Sequence, residues 1–131
     1  MDYKDIQEEA KKDLTFSITN VEHYALRLGL LKEKYARYLQ DYRIKLKQKM
    51  LELDVVFSTR HTYYSVSSNR AIDRRDIDTY IKGDKEYCTA SAQLAIVEEQ
   101  VRYIDGVIKS LDNMSFTINS AVKMHIFKNG G

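Results

Sequence analysis

The sequence predicts an all-α protein, an elongated helical protomer with long N-terminal helices and a C-terminal helical region through which copies associate. Three observations predict this class. The 131 residues include no proline and only 5 glycines, so little in the chain interrupts a helix. Charged residues make up 31% of the chain, and apolar residues recur at helical spacing in both halves. This length suits one domain, or one compact body with a helical extension.

The cysteine count and the hydropathy pattern indicate a cellular compartment. Cys88 is the only cysteine, which excludes an intramolecular disulfide and a cysteine-based metal cluster and favours a reducing environment. Residues 1–16 mix acids and bases and lack the apolar core of a signal peptide, and no segment has the length and hydropathy of a transmembrane helix. We therefore expect a cytoplasmic protein that is not secreted and does not cross a membrane.

A first short helix is predicted from Asp2 to about Leu14. Asp2 can cap its start, acids are concentrated in its first turns, and Lys11 and Lys12 suit its last turn. The segment Thr15–Asn20 then forms a joint, in which Thr19 or Asn20 caps a second helix.

The second helix is predicted from an apolar and aromatic stripe with alternating steps of three and four. The stripe consists of Val21, Tyr24, Leu28, Leu31, Tyr35, Tyr38 and Tyr42. After Tyr42 the pattern changes phase and continues through Leu46, Met50, Leu53 and Phe57, which indicates a bend, a stutter or a change of packing partner. Residues 43–49 also alternate like a strand, but four basic side chains on one strand face are unfavourable, so helix is predicted.

The clearest interruption is Ser65–Asn69, whose small polar side chains compete with helical hydrogen bonding and predict a linker or mobile loop. The charged stretch Asp73–Asp84 has no definite prediction. Asp84 is placed to cap the helix that follows Gly83.

The C-terminal half contains a short heptad seam followed by an apolar segment. The seam consists of Leu94, Val97, Val101, Ile104, Ile108 and Leu111. Asp112 and Asn113 are expected to interrupt or cap the helix, and a further short helix is predicted to end at residues 129–131. That helix is apolar on most sides, through Phe116, Ile118, Ala121, Val122, Met124, Ile126 and Phe127. Such a helix needs a covering surface, which another subunit can provide.

The sequence contains no pattern typical of an enzyme. Gly-rich phosphate loops, the His-Glu-x-x-His zinc pattern and EF-hand loops are absent. The three histidines, His23, His61 and His125, lie far apart, and no histidine lies near Cys88 in the sequence. We expect no catalytic residue, no metal site and no cofactor.

Positive charge is concentrated in the middle of the chain. Residues 27–49 carry eight bases against two acids, a local charge of 8 − 2 = +6. The residues with binding potential are Arg43, Lys45, Lys47 and Lys49, together with Arg60, Tyr63 and Tyr64. Cations neutralise phosphates and aromatic faces stack on unpaired bases, which together predict sequence-tolerant binding of single-stranded DNA. The alternative is a solvated helix face with packing aromatics, and composition alone favours that alternative.

Several segments resemble one family, the UvsY family of recombination mediators of T-even-type bacteriophages. The matching segments are Asp5-Ile6-Gln7-Glu8-Glu9-Ala10-Lys11-Lys12-Asp13, then Arg60-x-x-Tyr63-Tyr64-Ser65, and Phe116-x-Ile118 with Met124-x-x-Phe127-x-x-Gly130. Their order and spacing correspond over nearly the whole chain. The family pattern has a lysine where this chain has Ser58, and a small basic element where it has residues 66–68. Arg43, Lys45, Lys47 and Lys49 are expected to compensate.

The resemblance implies a function and a set of partners. It implies a ring-like hexamer or heptamer that associates through its C-terminal region. It also implies binding of single-stranded DNA, with contacts to a phage recombinase of the RecA type and to the phage single-strand DNA-binding protein. Such a mediator promotes loading of the recombinase in place of the binding protein, in the cytoplasm of the infected bacterium.

These expectations divide the chain into an N-terminal DNA-binding region, residues 1–68, and a C-terminal oligomerisation region, residues 69–131. The residues predicted to carry oligomerisation are Leu94, Val97, Val101, Ile104, Ile108, Leu111, Ile118, Val122 and Phe127. The main alternative is a non-enzymatic helical oligomeric scaffold or adaptor without nucleic-acid binding. A membrane-surface protein is disfavoured, because residues 27–49 interleave tyrosines instead of presenting a wide apolar face.

Overall fold

In a computed structural model, the described residues form four α-helices and one π-helical turn. The structure describes residues 2–15, 21–67 and 72–128. The elements are α1 (Tyr3–Asp13), α2 (Val21–Thr62), the π-helical turn Tyr63–Ser67, α3 (Ile77–Lys82) and α4 (Lys85–Lys128). No strand occurs within these three ranges. The predicted all-α class is confirmed.

The chain consists of two compact units, and the long helices α2 and α4 each contribute residues to both. The first consists of Met1–Asp41 with Arg102–Gly131, and the second is Tyr42–Val101. The division into a DNA-binding and an oligomerisation region at residue 68 is a functional one and stays a prediction.

In the first unit, α1 is held against α2 by an apolar face and two acids. Ile6 and Ala10 are buried. Glu9 and Asp13 are four residues apart and therefore share one side of α1. The Tyr38 hydroxyl donates to Glu9 at 2.9 Å, and the Tyr35 hydroxyl donates to Asp13 at 2.7 Å. Each acid thus fixes one tyrosine of α2.

Lys34 and Tyr24 complete this attachment of α1. The ammonium of Lys34 forms ion pairs with both Glu9 and Asp13, and the Tyr24 hydroxyl donates to the backbone oxygen of Asp13. Burial would lower the pKa of Lys34, but its hydrogen bonds to the two acids outweigh burial and raise it. Burial, with the bond to Asp13, raises the pKa of Tyr35. Both side chains therefore keep their protons at neutral pH.

The core of the first unit follows the predicted stripe with one difference. Its buried side chains are Ile6, Ala10, Tyr24, Leu28, Leu31, Tyr35, Leu39, Ile104, Val107, Leu111 and Ile118. Tyr38, which the stripe included, is half-buried, and Leu39 takes the core position. Residues 38 and 39 both lie about one helical turn after Tyr35, so either can face the core. The Tyr38 hydroxyl donates to Glu9, which holds its ring partly outside the core.

The expected interruption at Asp112 and Asn113 is wrong, because α4 runs through both without a break. Asp112 instead faces outward to Lys32, whose ammonium lies 3.2 Å from its carboxylate and 2.8 Å from the Ser115 hydroxyl. Packing of Leu111 and Ile118 on either side of this point overrides the weak local preference of Asp and Asn for helix ends. The predicted separate helix at residues 116–127 is therefore the final part of α4.

The second unit pairs α2 and α4 in antiparallel directions. Arg60 contacts Asp84, Phe57 contacts Tyr87 and Lys49 contacts Gln93, so the residue number falls on one helix as it rises on the other. The buried apolar residues are Tyr42, Ile77, Ile81 and Val97. The predicted stripe through Leu46, Met50, Leu53 and Phe57 is only half-buried or exposed here.

The expected caps and joints have mixed outcomes. Asp2 occupies the residue before α1 but makes no side-chain capping hydrogen bond. Thr19 and Asn20 lie outside the described residues, as do residues 129–131. The predicted break at Ser65–Asn69 begins within the π-helical turn, and its remainder also lies outside the described ranges. Asp84 caps α4 as predicted.

Candidate nucleic-acid interface

The basic tract Arg43, Lys45, Lys47 and Lys49 lies within α2, and helical geometry divides it between two sides. Arg43 and Lys47 are one turn apart and share a side, whereas Lys45 and Lys49 lie on roughly the opposite side. Arg43, Lys45 and Lys47 are exposed. In a strand, this alternating pattern would place all four cations on one face. In the helix α2 it presents them in two directions.

The four cations differ in how far the chain itself satisfies them. Lys49 is half-buried, lies 3.1 Å from Glu52 and donates to Gln93 at 3.4 Å. Lys45 lies over the ring of Tyr42 at 4.3 Å. Within the described ranges no carboxylate pairs with Arg43, Lys45 or Lys47. These three are the members of the tract available to an external anion.

Arg60 is occupied within the chain. Its Nε lies 2.9 Å from Oδ2 of Asp84, and a terminal nitrogen lies 3.8 Å from Glu86. The Arg60 side chain is only 20% exposed. Two acids compensate the charge of Arg60. Its side chain is therefore better placed to position its neighbours than to bind a phosphate.

Asp84 is the centre of this cluster. It is 8% exposed, and its Oδ1 accepts the backbone N–H of Glu86 at 2.9 Å and that of Tyr87 at 3.3 Å, which caps α4. Its Oδ2 accepts the Tyr64 hydroxyl at 2.7 Å in addition to Arg60. One carboxylate therefore joins the end of α2, the π-helical turn and the start of α4.

The electrostatics of Asp84 follow from these partners. Burial alone would raise the pKa of the carboxyl, but the hydrogen bonds from Tyr64 and from the Tyr87 N–H, with the charge of Arg60, outweigh it and lower the pKa. The bond to Asp84 in turn raises the pKa of the Tyr64 hydroxyl. The carboxylate is thus ionised at neutral pH. The cap was predictable from Gly83-Asp84, but the bonds to Arg60 and Tyr64 were not.

Three tyrosines form a row beside this cluster, which we call the tyrosine row: Tyr63, Tyr64 and Tyr80. The ring centroids of Tyr63 and Tyr64 are 5.1 Å apart, and those of Tyr64 and Tyr80 are 5.7 Å apart. The Arg60 guanidinium lies 4.3 Å from the Tyr63 centroid. Tyr63 is 42% exposed and Tyr80 is 43% exposed. Sequence reasoning missed Tyr80, because residues 73–84 had no definite predicted structure and the contact with Tyr64 joins residues 16 positions apart.

The predicted oligomerisation residues are mostly covered by their own chain. Val97, Ile104, Leu111 and Ile118 are buried, and Leu94, Val101, Ile108 and Val122 are half-buried. Phe127 is 84% exposed. Other large apolar side chains exposed on the same part of α4 are Phe116, Met124 and Ile126. The end of α4 therefore has apolar surface to offer a partner, whereas the seam is largely occupied inside the protomer.

A separate apolar groove lies in the second unit between α2 and α4. It has a volume of about 830 Å³ and is lined by Leu51, Glu52, Val55, Val56, Lys85, Glu86, Thr89, Ala90 and Gln93. Leu51 and Val55, which the predicted stripe does not include, are exposed.

The described residues include neither a metal-ion cluster nor a membrane-spanning helix. Within residues 2–15, 21–67 and 72–128, no three His, Cys, Asp or Glu side chains are grouped to hold a metal ion. Over the same ranges, no helix combines the length and apolarity needed to cross a bilayer. Cys88 is exposed, and its thiol donates to the backbone oxygen of Lys82 at 3.2 Å.

Comparison with known proteins places this fold and sequence in one family. Two crystal structures of the bacteriophage T4 recombination mediator protein UvsY are similar. Lattice type IV is 20% identical with a TM-score of 0.86, covering 98% of this chain and 99% of that one. Lattice type I is 19% identical with a TM-score of 0.84, covering 95% and 98%. No curated protein sequence matches this chain significantly. The sequence profile of the family described as "Recombination, repair and ssDNA binding protein UvsY" matches residues 9–131. The chain therefore belongs to the UvsY family.

Proposed function

We propose that this protein is a recombination mediator that binds single-stranded DNA and promotes loading of a phage RecA-type recombinase in place of the single-strand DNA-binding protein. The observation that carries the proposal is the exposed, uncompensated set Arg43, Lys45 and Lys47 on α2 of a chain in this family. We place its action in the cytoplasm of the infected bacterium, without an enzymatic step or a cofactor.

The mechanism rests on many weak contacts made together. Three cations per protomer neutralise few phosphates, so one protomer binds a strand weakly. A homo-oligomer, a hexamer or heptamer, multiplies these contacts on one strand, and binding of the first protomer raises the local concentration of DNA at the next. A strand held at many points is extended and reshaped, which favours release of the binding protein and nucleation of the recombinase filament.

The predicted site residues take different roles in this mechanism. Arg43, Lys45 and Lys47 contact phosphates, and Lys49, partly satisfied by Glu52, contributes less. Arg60 and Tyr64 are held by Asp84 beside the exposed ring of Tyr63, which offers an aromatic face to an unpaired base. The family pattern has a lysine where this chain has Ser58. In this proposal the charge that binds phosphates lies on α2 about three to four helical turns before Ser58, so a lysine at that position is not needed.

The salt dependence of DNA binding tests this proposal. We expect affinity for an oligothymidylate to fall steeply with salt. The triple variant Arg43→Ala, Lys45→Ala, Lys47→Ala should reduce the slope of log K against log salt by about 2 per bound protomer, since each phosphate contact on a single strand contributes about 0.7. Fluorescence anisotropy of a labelled strand at several salt concentrations measures this slope.

A matched control distinguishes local contacts from net charge. Lys4, Lys11 and Lys12 are exposed on α1, and changing all three to alanine removes the same charge. That variant should keep a slope close to the unmodified protein. An equal reduction in both triple variants, or an unchanged slope in the first, would remove the tract from the site.

The exposed end of α4 leads to a prediction about assembly. Phe127→Asp, combined with Phe116→Asp, should convert the oligomer to monomers while helix content stays the same, because both side chains are exposed in the protomer. Sedimentation velocity measures the mass and circular dichroism the helix content. Asn119→Asp, at an exposed polar position of α4, is the control. An undiminished oligomer in the double variant would place the subunit interface elsewhere.

A second candidate function is favoured by the groove of about 830 Å³ between α2 and α4. Its exposed Leu51 and Val55 suit a helical scaffold or adaptor that binds protein and not DNA. If the unmodified protein forms oligomers but does not bind single-stranded DNA at low salt, the scaffold function is favoured over the mediator function.

A further inference from the structure

We propose that the tyrosine row is a second contact for single-stranded DNA, in which the exposed rings of Tyr63 and Tyr80 stack on unpaired bases. The inference rests on the proposed function and adds to it a site that does not depend on charge. It includes Tyr80, which the family motif at residues 60–65 does not contain.

The rings of Tyr63 and Tyr80 are both fixed and exposed. Tyr63 and Tyr80 leave more than two fifths of their surface open, although Tyr64 lies next to each of them. Tyrosine combines a broad apolar face with a polar hydroxyl, and such side chains are enriched at binding surfaces. Because both rings contact Tyr64, their exposed surfaces belong to one local cluster.

The residues that hold these rings in place have well-formed contacts of their own. Tyr64 is held by its hydroxyl bond to Asp84, and the Arg60 guanidinium lies 4.3 Å from the Tyr63 ring centroid and 5.5 Å from that of Tyr64. On α3, Ile77 and Ile81 are buried and anchor the helix that carries Tyr80. A ring held in place before binding loses little conformational entropy when a base stacks on it.

The residues around the tyrosine row carry balanced charge. Residues 73–82 carry Arg74, Arg75 and Lys82 against Asp73, Asp76 and Asp78, so the local balance is 3 − 3 = 0. Arg60 is compensated by Asp84 and Glu86. The surroundings of the row therefore attract phosphates weakly, and its ligand is the unpaired base and not the backbone. Base stacking on an aromatic ring tolerates any sequence, in agreement with a mediator that acts on arbitrary strands.

The experiment compares Tyr80→Ala with Tyr80→Phe in full-length protein titrated with oligothymidylate. Tyr80→Ala should lower affinity roughly tenfold, the effect of one lost stacked base. Its salt slope should stay unchanged, unlike that of the Arg43, Lys45 and Lys47 variant. Tyr80→Phe keeps the ring and should keep the affinity. Equal melting midpoints in both variants would show that the fold around α3 is intact.

A fluorescent reporter gives an independent measurement. The chain has no tryptophan, so Tyr80→Trp introduces a single indole whose emission should be quenched when a base stacks on it. Leu26→Trp, an exposed position of the first unit, is the control and should respond weakly. DNA binding with an unchanged affinity in Tyr80→Ala and no quenching of the indole in Tyr80→Trp overturns the tyrosine row alone. Failure of the unmodified protein to bind the strand overturns the proposed function, and the row with it.

Discussion

Replacing Ile104 with aspartate is expected to unfold the protein and not merely to separate its subunits. Ile104 is fully buried in the first unit, where it belongs to the same core as Leu111 and Tyr35. The substitution removes apolar contacts and places a carboxylate in a fully buried core position, so we expect a loss of about 4 kcal/mol or more in the free energy of unfolding. For a domain of ordinary stability this is a large fraction of the total.

Circular dichroism and thermal melting measure this effect. The helix signal of Ile104→Asp should fall sharply at room temperature, or its melting midpoint should drop by many degrees. Ser110→Asp, an exposed position on the same helix, is the control and should melt like the unmodified protein. A soluble Ile104→Asp monomer with full helix content would show that this side chain meets another subunit and not its own core.

The comparison of Ile104 with Phe127 shows what periodicity can predict. The spacing of residues 94–111 predicted a helix with one apolar side, and α4 has that form. Spacing does not identify the partner, because a helix of the same chain and a helix of another chain require the same period. Here the chain's own helices cover Ile104 and Leu111, whereas Phe127 is left exposed.

The basic tract shows a similar limit. Its charge was evident from composition, and its helical state followed from the disfavoured strand alternative. Which cations remain available depends on neighbours distant in sequence: Lys49 meets Gln93, and Arg60 meets Asp84. Those pairs are separated by 44 and 24 residues, so no local pattern indicates them. The Asp84 cap, by contrast, is a local feature and was predicted correctly.

The second large effect is expected at Asp84 itself. Asp84→Ala removes the cap of α4, worth about 1 kcal/mol, leaves the Tyr64 hydroxyl without its acceptor, and leaves Arg60 with the longer pair to Glu86 alone. We expect a total loss of about 2 to 3 kcal/mol in the free energy of unfolding, measured by urea denaturation. Because Asp84 joins α4 to the segment that carries the tyrosine row, the variant should also bind single strands more weakly.

Asp84→Asn separates the two parts of this effect. Asparagine caps a helix about as well as aspartate, so this variant should lose less than Asp84→Ala, and what it loses reflects the charge that faces Arg60. The pKa of Asp84 is lowered by folding, so its ionised form stabilises the protein above about pH 4, and that contribution disappears as the pH falls through the lowered pKa. The difference in stability between the unmodified protein and Asp84→Asn should therefore be largest near neutral pH and narrow below about pH 4.

A constant difference across that range would mean that the carboxylate's charge does not contribute, and that the cluster is held by the cap and the Tyr64 hydrogen bond alone. Because Arg60 lies between Asp84 and the ring of Tyr63, loss of the charge pair should also free its guanidinium. In Asp84→Asn, Arg60 keeps only its longer ion pair with the exposed Glu86 and is a weakly compensated cation close to the tyrosine row. The salt slope of DNA binding should then steepen by about 0.7 per protomer if Arg60 gains a phosphate contact, even as the protein becomes less stable. Opposite changes in stability and in salt slope would show that Arg60 is held by Asp84 in the unmodified protein and is not one of its phosphate contacts.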